Sequence, residues 1–373
     1  MNKIVKIAII SAAALGILAL VLFVVVPKVT SGGAEARLGE AFAEAGIPDD
    51  MWSVGSVQFV PLFNRFVIEN LEFGDRYSSE FIRANKVTVS LSSNTDTVFA
   101  GSLNTEELTF YADGFYVSVN DLSVNNFSID KFMLEYSPFE AVKKLDSIRI
   151  NDAVFRQDGR TYFSLGRLSA SLGYTEGYIP LSTSFSLTDL VMDIRPFAEF
   201  YGMRPEYRLT KFETKSSISG NVNTVTLAID GANLFSINTD IRITLPRQLV
   251  ASRRISDFAM IDFEEDIRLN SFSFTYEDKS LLDHIFDLTG MSSEREYILD
   301  DLYDMIMMFA MMGGAEMERL MLEAAGFIER PGKLELRTNF RSPLSFEDVI
   351  YDPFAMNLGL SINGGRPFML GGQ

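Results

Sequence analysis

The chain of 373 residues has no cysteine and one histidine, His284. Disulfide frameworks, thiolate nucleophiles and cysteine-based zinc sites are therefore excluded, and a lone imidazole removes most catalytic triads. Without cysteine there is also no acyl-cysteine anchor. Basic residues are scarce, 33 Lys and Arg against 50 Asp and Glu, so the formal net charge is −17. That balance argues against nucleic acid as a partner and against electrostatic docking on anionic lipid. Phosphate loops and dinucleotide fingerprints do not occur. No cofactor is implied, and the reading is of a protein that is not an enzyme.

Long hydrophobic runs are also missing, with one exception. Residues 7–27 form a continuous apolar block, preceded by Lys3 and Lys6 and followed by Lys28. About 20 such residues at ~1.5 Å each cross a bilayer core as a helix. The block exceeds the usual length of a secretory signal, about 7–15 residues. The small-x-small match Ala34-Glu35-Ala36 lies well beyond the run. An uncleaved anchor is the expectation. The charged N-terminal stub points to an N-in orientation, with the bulk of the chain in the periplasm and the anchor in the inner membrane. Ala12 and Gly16 have the small-xxx-small spacing of pairing helices, a common match in apolar segments.

The expected organisation is a stub (1–6), the anchor (7–27), a linker with a short helix (28–50), a β-rich stretch (51–279), a helical insert (280–326) and a β segment (327–373). The fold class is mainly β with an α insert (α+β), with an antiparallel ectodomain. Period-two alternation carries the β assignment. It is seen in Val87/Val89/Leu91, in Val117/Val119, Leu122/Val124 and Phe127/Ile129, and in Leu165 then Leu168/Ala170/Leu172. It returns in Val225/Leu227/Ile229, Phe235/Ile237, Ile241/Ile243 and Phe272/Phe274/Tyr276. Asn104, Asn125-Asn126 and Asn221 read as turns, and Asp113-Gly114, Asp158-Gly159 and Asp230-Gly231 as tight hairpins. Alternation does not tell whether the apolar face meets a second sheet in a sandwich or forms a curved sheet or groove for lipid chains.

From Ser280 the period becomes helical. Ser280 with Asp283, and Ser293 with Glu296, have N-terminal capping spacings, and Gly290 and Gly326 suit C-terminal stops. Met305 to Met312 is apolar on every side, which predicts a helix buried all round and packed on the sheet. The other reading is a pliable methionine cover over an apolar cavity. Candidate lipid-facing residues are Phe235, Ile237, Ile241 and Ile243 on the sheet, and Met305, Met308 and Met312 on the insert.

Chemical motifs are weak. Ser128 and Lys131 match S-x-x-K without its partner motifs, on a segment that reads as strand. Glu264-Glu265-Asp266 could donate oxygens to Ca²⁺, but an acidic turn before a strand explains it. His284 sits beside Asp283 and Asp287 on a helix, where a surface or capped residue is expected.

The N-terminal stretch carries a resemblance. Asn70-Leu71-Glu72-Phe73-Gly74 followed by Ile82 to Leu91 is one copy of a strand phrase, and Ile150 to Phe155 followed by Leu165 to Leu172 is a second. With the anchor, residues 1–172 resemble the AsmA-like bacterial envelope proteins. That resemblance implies membrane-anchored envelope work, with phospholipid transport as the family's proposed role and no catalytic signature. The membrane, phospholipid and envelope proteins are then the expected partners. The alternative is a non-lipid scaffold that binds partner proteins through its polar faces.

Overall fold

Apolar–polar alternation becomes sheet wherever it recurs. The computed structural model describes residues 38–39, 42–43, 47–74, 80–95, 97–112, 114–130, 132, 141–193, 206–258, 261–289, 295–312, 315–339, 342–351, 353–365 and 367–370. The expected anchor at 7–27 lies outside them. Among the described residues no helix is long and apolar enough to cross a membrane. The chain divides into two units, 1–176 and 177–373, a boundary inside the β-rich stretch.

Unit 1 is an antiparallel meander. Its strands are β1 (Trp52–Ser53), β2 (Ser56–Val60), β3 (Arg65–Gly74), β4 (Phe81–Asn94), β5 (Val98–Ala112), β6 (Phe115–Asp130), β7 (Val142–Gln157) and β8 (Arg160–Thr175). β1 and β2 both pair with β3, and from β3 to β8 each strand pairs with the next. One face is the core. Phe66, Ile68, Leu71, Val87, Val89, Leu103, Leu108, Leu122 and Phe127 are all buried there. Leu38 and Phe42, both helical, are among the most deeply buried side chains. Phe42 stands edge-on to Trp52 and Phe73, with ring centroids 4.7 and 5.2 Å away.

The strands are longer than the turn signals imply. Asn104 lies inside β5, and Asn125-Asn126 inside β6, so these are not turns. Within the strands the alternation slips phase instead. On β3 the buried residues are Phe66 and Ile68, then Leu71 and Phe73. Asn70 between them takes a left-handed backbone, φ 51°. The same slip recurs at equivalent positions on every neighbour. Opposite pairing runs on both sides of Asn70/Asn85, Asn85/Glu107, Glu107/Asn120, Asn120/Asp152 and Asp152/Gly166, but skips each of those pairs. Glu107 and Asp152 have φ of 51° and 50°, so the left-handed residues fall on alternate strands. Because each strand slips at one shared line, the register across it is kept and the apolar face stays continuous. Asn and Asp tolerate this conformation better than most residues. That tolerance is also why they read as turns.

Unit 2 is a second antiparallel meander. Its strands are β9 (Ser182–Asp193), β10 (Glu206–Ser219), β11 (Val222–Gly231), β12 (Phe235–Thr244), β13 (Arg268–Asp278), β14 (Lys333–Thr338), β15 (Leu344–Ser345), β16 (Leu358–Ile362) and β17 (Phe368–Leu370). They pair in sequence from β9 to β14; β13 also takes β15, and β14 passes to β16 and β17. Asp189, φ 54°, marks a slip like those of unit 1, opposite Thr210.

Of the expected hairpins, Asp158-Gly159 is a two-residue turn with both φ positive, 51° and 76°. Gly114 has φ 77°, while Asp113 lies outside the described residues. Asp230-Gly231 is not the turn: Gly231 still pairs with Phe235, and the loop is Ala232 to Leu234 with Asn233 left-handed.

The insert forms three helices, α1 (Leu281–Thr289), α2 (Arg295–Met312) and α3 (Ala315–Glu329). Its first cap differs from expectation. The Ser280 hydroxyl donates to the Asn233 carbonyl, and Asp278 Oδ1 accepts from the Leu282 N–H at 3.1 Å. Asp278 can do so because it ends β13 with its side chain facing the new helix. Gly326 does not stop α3, which runs on to Glu329. Ser293 and Gly290 lie outside the described residues.

Candidate functional site

The site follows from the register of unit 2, since residues directly opposite in an antiparallel pair share a face. Leu187, Phe212, Ile229, Ile237, Tyr276, Leu334 and Ile362 form one transverse row over seven strands. Phe185, Thr214, Leu227, Thr239, Phe274, Leu336 and Leu360 form the next. Val225, Ile241 and Phe272 continue the apolar character beyond it. All but Leu360 are only half-buried. Among the described residues the nine strands of unit 2 belong to one sheet.

The helical insert touches one end of the face. Its ties to the sheet are specific. His284 on α1, buried, meets Tyr207 on β10 through Nε2 and the phenolic hydroxyl. The sole histidine is therefore not a surface residue; sequence reasoning missed its partner because the two lie 77 positions apart. Phe327 near the end of α3 packs edge-on against Tyr276, centroids 6.0 Å apart. Burial and the bond to Asp278 push the Tyr276 phenol well above its ordinary range, so it stays protonated and donates at 2.7 Å.

The predicted sheet residues are brought together. Phe235, Ile237, Ile241 and Ile243 lie along β12, each half-buried. The predicted insert residues share α2. Met305 and Met308 are 44% and 47% exposed, and Met307 is 60% exposed. The expectation of a helix buried all round is corrected: α2 packs on α3, but Met305, Met307 and Met308 stay exposed. Met312 lies in the last turn of α2.

The weaker motifs gather no chemistry. Glu264, Glu265 and Asp266 form an exposed helical turn capped by Asp262, whose Oδ1 accepts from the Glu264 N–H at 3.0 Å. Among the described residues no three acidic or histidine side chains are placed to hold a metal ion. Ser128 is on β6, and Lys131 lies outside the described residues.

What fold and site define together is an antiparallel meander protein with a half-open apolar sheet face. A family model described as "Uncharacterized protein" matches residues 228–361, from the end of β11 to β16 and so across much of that face and the whole insert. No curated protein matches the chain.

Proposed function

We propose that this is a single-pass, membrane-anchored extracytoplasmic protein of the bacterial envelope that binds lipid. Acyl chains lie on the open face of unit 2, and the helical insert covers one end. The observation that carries the reading is the run of half-buried apolar rows over seven strands. A large apolar surface left to water on a folded protein marks a binding site. Its apolar rows suit hydrocarbon more than a charged headgroup. The role is binding, not catalysis.

The test is direct. Full-length protein is extracted in mild detergent, and native mass spectrometry with lipid extraction counts bound phospholipid. The reading expects phospholipid on the wild-type chain, and its loss from an Ile241→Glu, Phe272→Glu variant that still shows wild-type strand content. A wild-type chain that is lipid-free and resists unfolding equally with and without added phospholipid would sink it.

A further inference from the structure

We infer that one end of unit 2 is a docking surface for another protein, one that offers an apolar pocket rimmed by lysine and arginine. This goes beyond the lipid-binding reading and does not depend on it. The surface is carried by two short helices, Phe263–Asp266 and Phe346–Tyr351. The first leads into β13 and the second leaves β15. Because Arg268 pairs with Ser345, both helices leave the sheet at the same place, and they pack against each other.

The start of each helix is fixed by side chains. Asp262 Oδ1 accepts from the Glu264 N–H at 3.0 Å. Ser345 and Asp348 form a reciprocal capping box. The Ser345 hydroxyl accepts from the Asp348 N–H at 3.0 Å, and the Asp348 carboxylate accepts from the Ser345 N–H at 3.1 Å. Ile267, next after the first helix, is buried. The backbone is therefore held, yet its outer apolar side chains stay in water. Phe346 and Val349, three apart, are the half-buried side of their helix. Ile350 and Tyr351 add nothing to that side and are 59% and 79% exposed, and Phe263 is 53% exposed. Exposed apolar residues scattered singly are ordinary, but three on two packed, capped helices form a patch. On a backbone already held, Phe and Tyr lose little freedom on contact, which suits the anchors of a protein interface.

Charge selects the occupant. Neither helix has a basic residue, and Glu264, Glu265, Asp266 and Glu347 are exposed on them. A bilayer leaflet that took Phe263 would have to take the adjoining carboxylates as well, at high cost. A second copy docking through the same patch would set its own carboxylates against these. A partner with a basic rim instead fills its pocket with the apolar side chains and pairs its rim with the acidic ones.

The test is site-specific photo-crosslinking on the full chain in the cells that make it. The photoreactive residue p-benzoylphenylalanine replaces Ile350, Tyr351 or, as a control, Thr161, which is exposed on β8. Adducts are identified by mass spectrometry. Both patch sites should capture the same protein, different from this chain and absent at Thr161, through a peptide with Lys or Arg beside apolar residues. A Glu264→Lys, Glu265→Lys, Glu347→Lys variant should lower the yield several-fold, and the corresponding Gln variant, milder for folding, should lower it less. Wild-type strand content and hydrogen exchange on β13 show that each variant is folded. Adducts only with lipid or only with a second copy overturn the inference. So do the same adducts at Thr161, no adduct at either patch site, or yields indifferent to both charge variants.

Discussion

The two units are built from the same kind of strand but finish their apolar faces differently. In unit 1 the face is closed over β3 and β4: Val87 and Phe42 are fully buried, and Ile68 and Leu71 nearly so. In unit 2 the matching positions, such as Ile237, Ile241 and Phe272, stay half-buried. Identical alternation therefore leads to a core in one case and an available surface in the other. The difference comes from what covers the sheet. Unit 1 has Leu38 and Phe42 buried on it, with Phe42 against Trp52; in unit 2 the helices of the insert meet the sheet at Tyr207 and Tyr276.

The sharpest way to break this comparison is to place one charge on each face. Val87→Glu should destabilise unit 1 by several kcal/mol, since a buried carboxylate has no partner there. Ile241→Glu should cost unit 2 about 1 kcal/mol or less while removing lipid. Trp52, the only tryptophan, sits in unit 1, so its fluorescence during urea unfolding reports that unit, and hydrogen exchange on β12 reports the other. Equal losses would mean that the unit 2 face is covered after all.

A smaller effect tests the phase slips that both units share. Asn70→Val and Asp189→Val put a β-branched side chain at φ 51° and 54° and should each cost about 1–2 kcal/mol, with Asn70→Gly and Asp189→Gly nearly neutral. The Trp52 signal should move for the first site and not for the second. A valine as stable as the glycine would remove the left-handed backbone from the account.

Tyr207→Phe should cost about 1 kcal/mol by leaving the buried imidazole of His284 without its hydroxyl partner. Faster amide exchange along α1, with β3 to β8 unchanged, is the expected signature. Exchange unchanged on α1 would mean that the pair does not hold the helix.

Charge pairs separate the units least, but in opposite directions of pH. In unit 2 Glu213 is held below its ordinary 4.5 by hydrogen bonds from Lys215 and Lys211, and Glu335 by that from Lys333. A lowered carboxyl pKa adds stability above the unfolded value, lost as pH falls through the folded one. In unit 1 Lys86 and Lys143 are raised above 10.5 by hydrogen bonds to Glu106 and Glu176. Their contribution is present below 10.5 and lost as pH rises through the folded values. These groups are largely exposed, so solvent screening keeps each effect small. Urea midpoints should soften first for unit 2 below about pH 4.5 and first for unit 1 above about pH 10.5; the reverse order would refute the assignment.

Much of this was legible in the residues. Alternation located the strands, and the change to helical period at Ser280 located the insert to within a few residues. What failed has a common physical root. Asn125-Asn126 and Asp230-Gly231 carry residues tolerant of positive φ, and a single chain does not tell a turn from an in-strand slip until pairing is known. Tyr207 and His284 meet only through the fold. Met305 to Met312 reads as buried because an all-round apolar helix is normally covered, and nothing local says that Met305, Met307 and Met308 stay exposed. The candidate sheet face was visible as a pattern, but whether it was covered depended on contacts far along the chain.

The aligned slips have one more consequence. A meander of similar strands invites misalignment, because a shift by two residues would keep every apolar side chain on its proper side. Such an error would move Asn70, Glu107 and Asp152 out of line and set a left-handed residue against a regular partner. The line therefore works as a vernier. Each new strand has one seating that matches the mark on its neighbour, and a sheet copied strand by strand can lengthen without losing count.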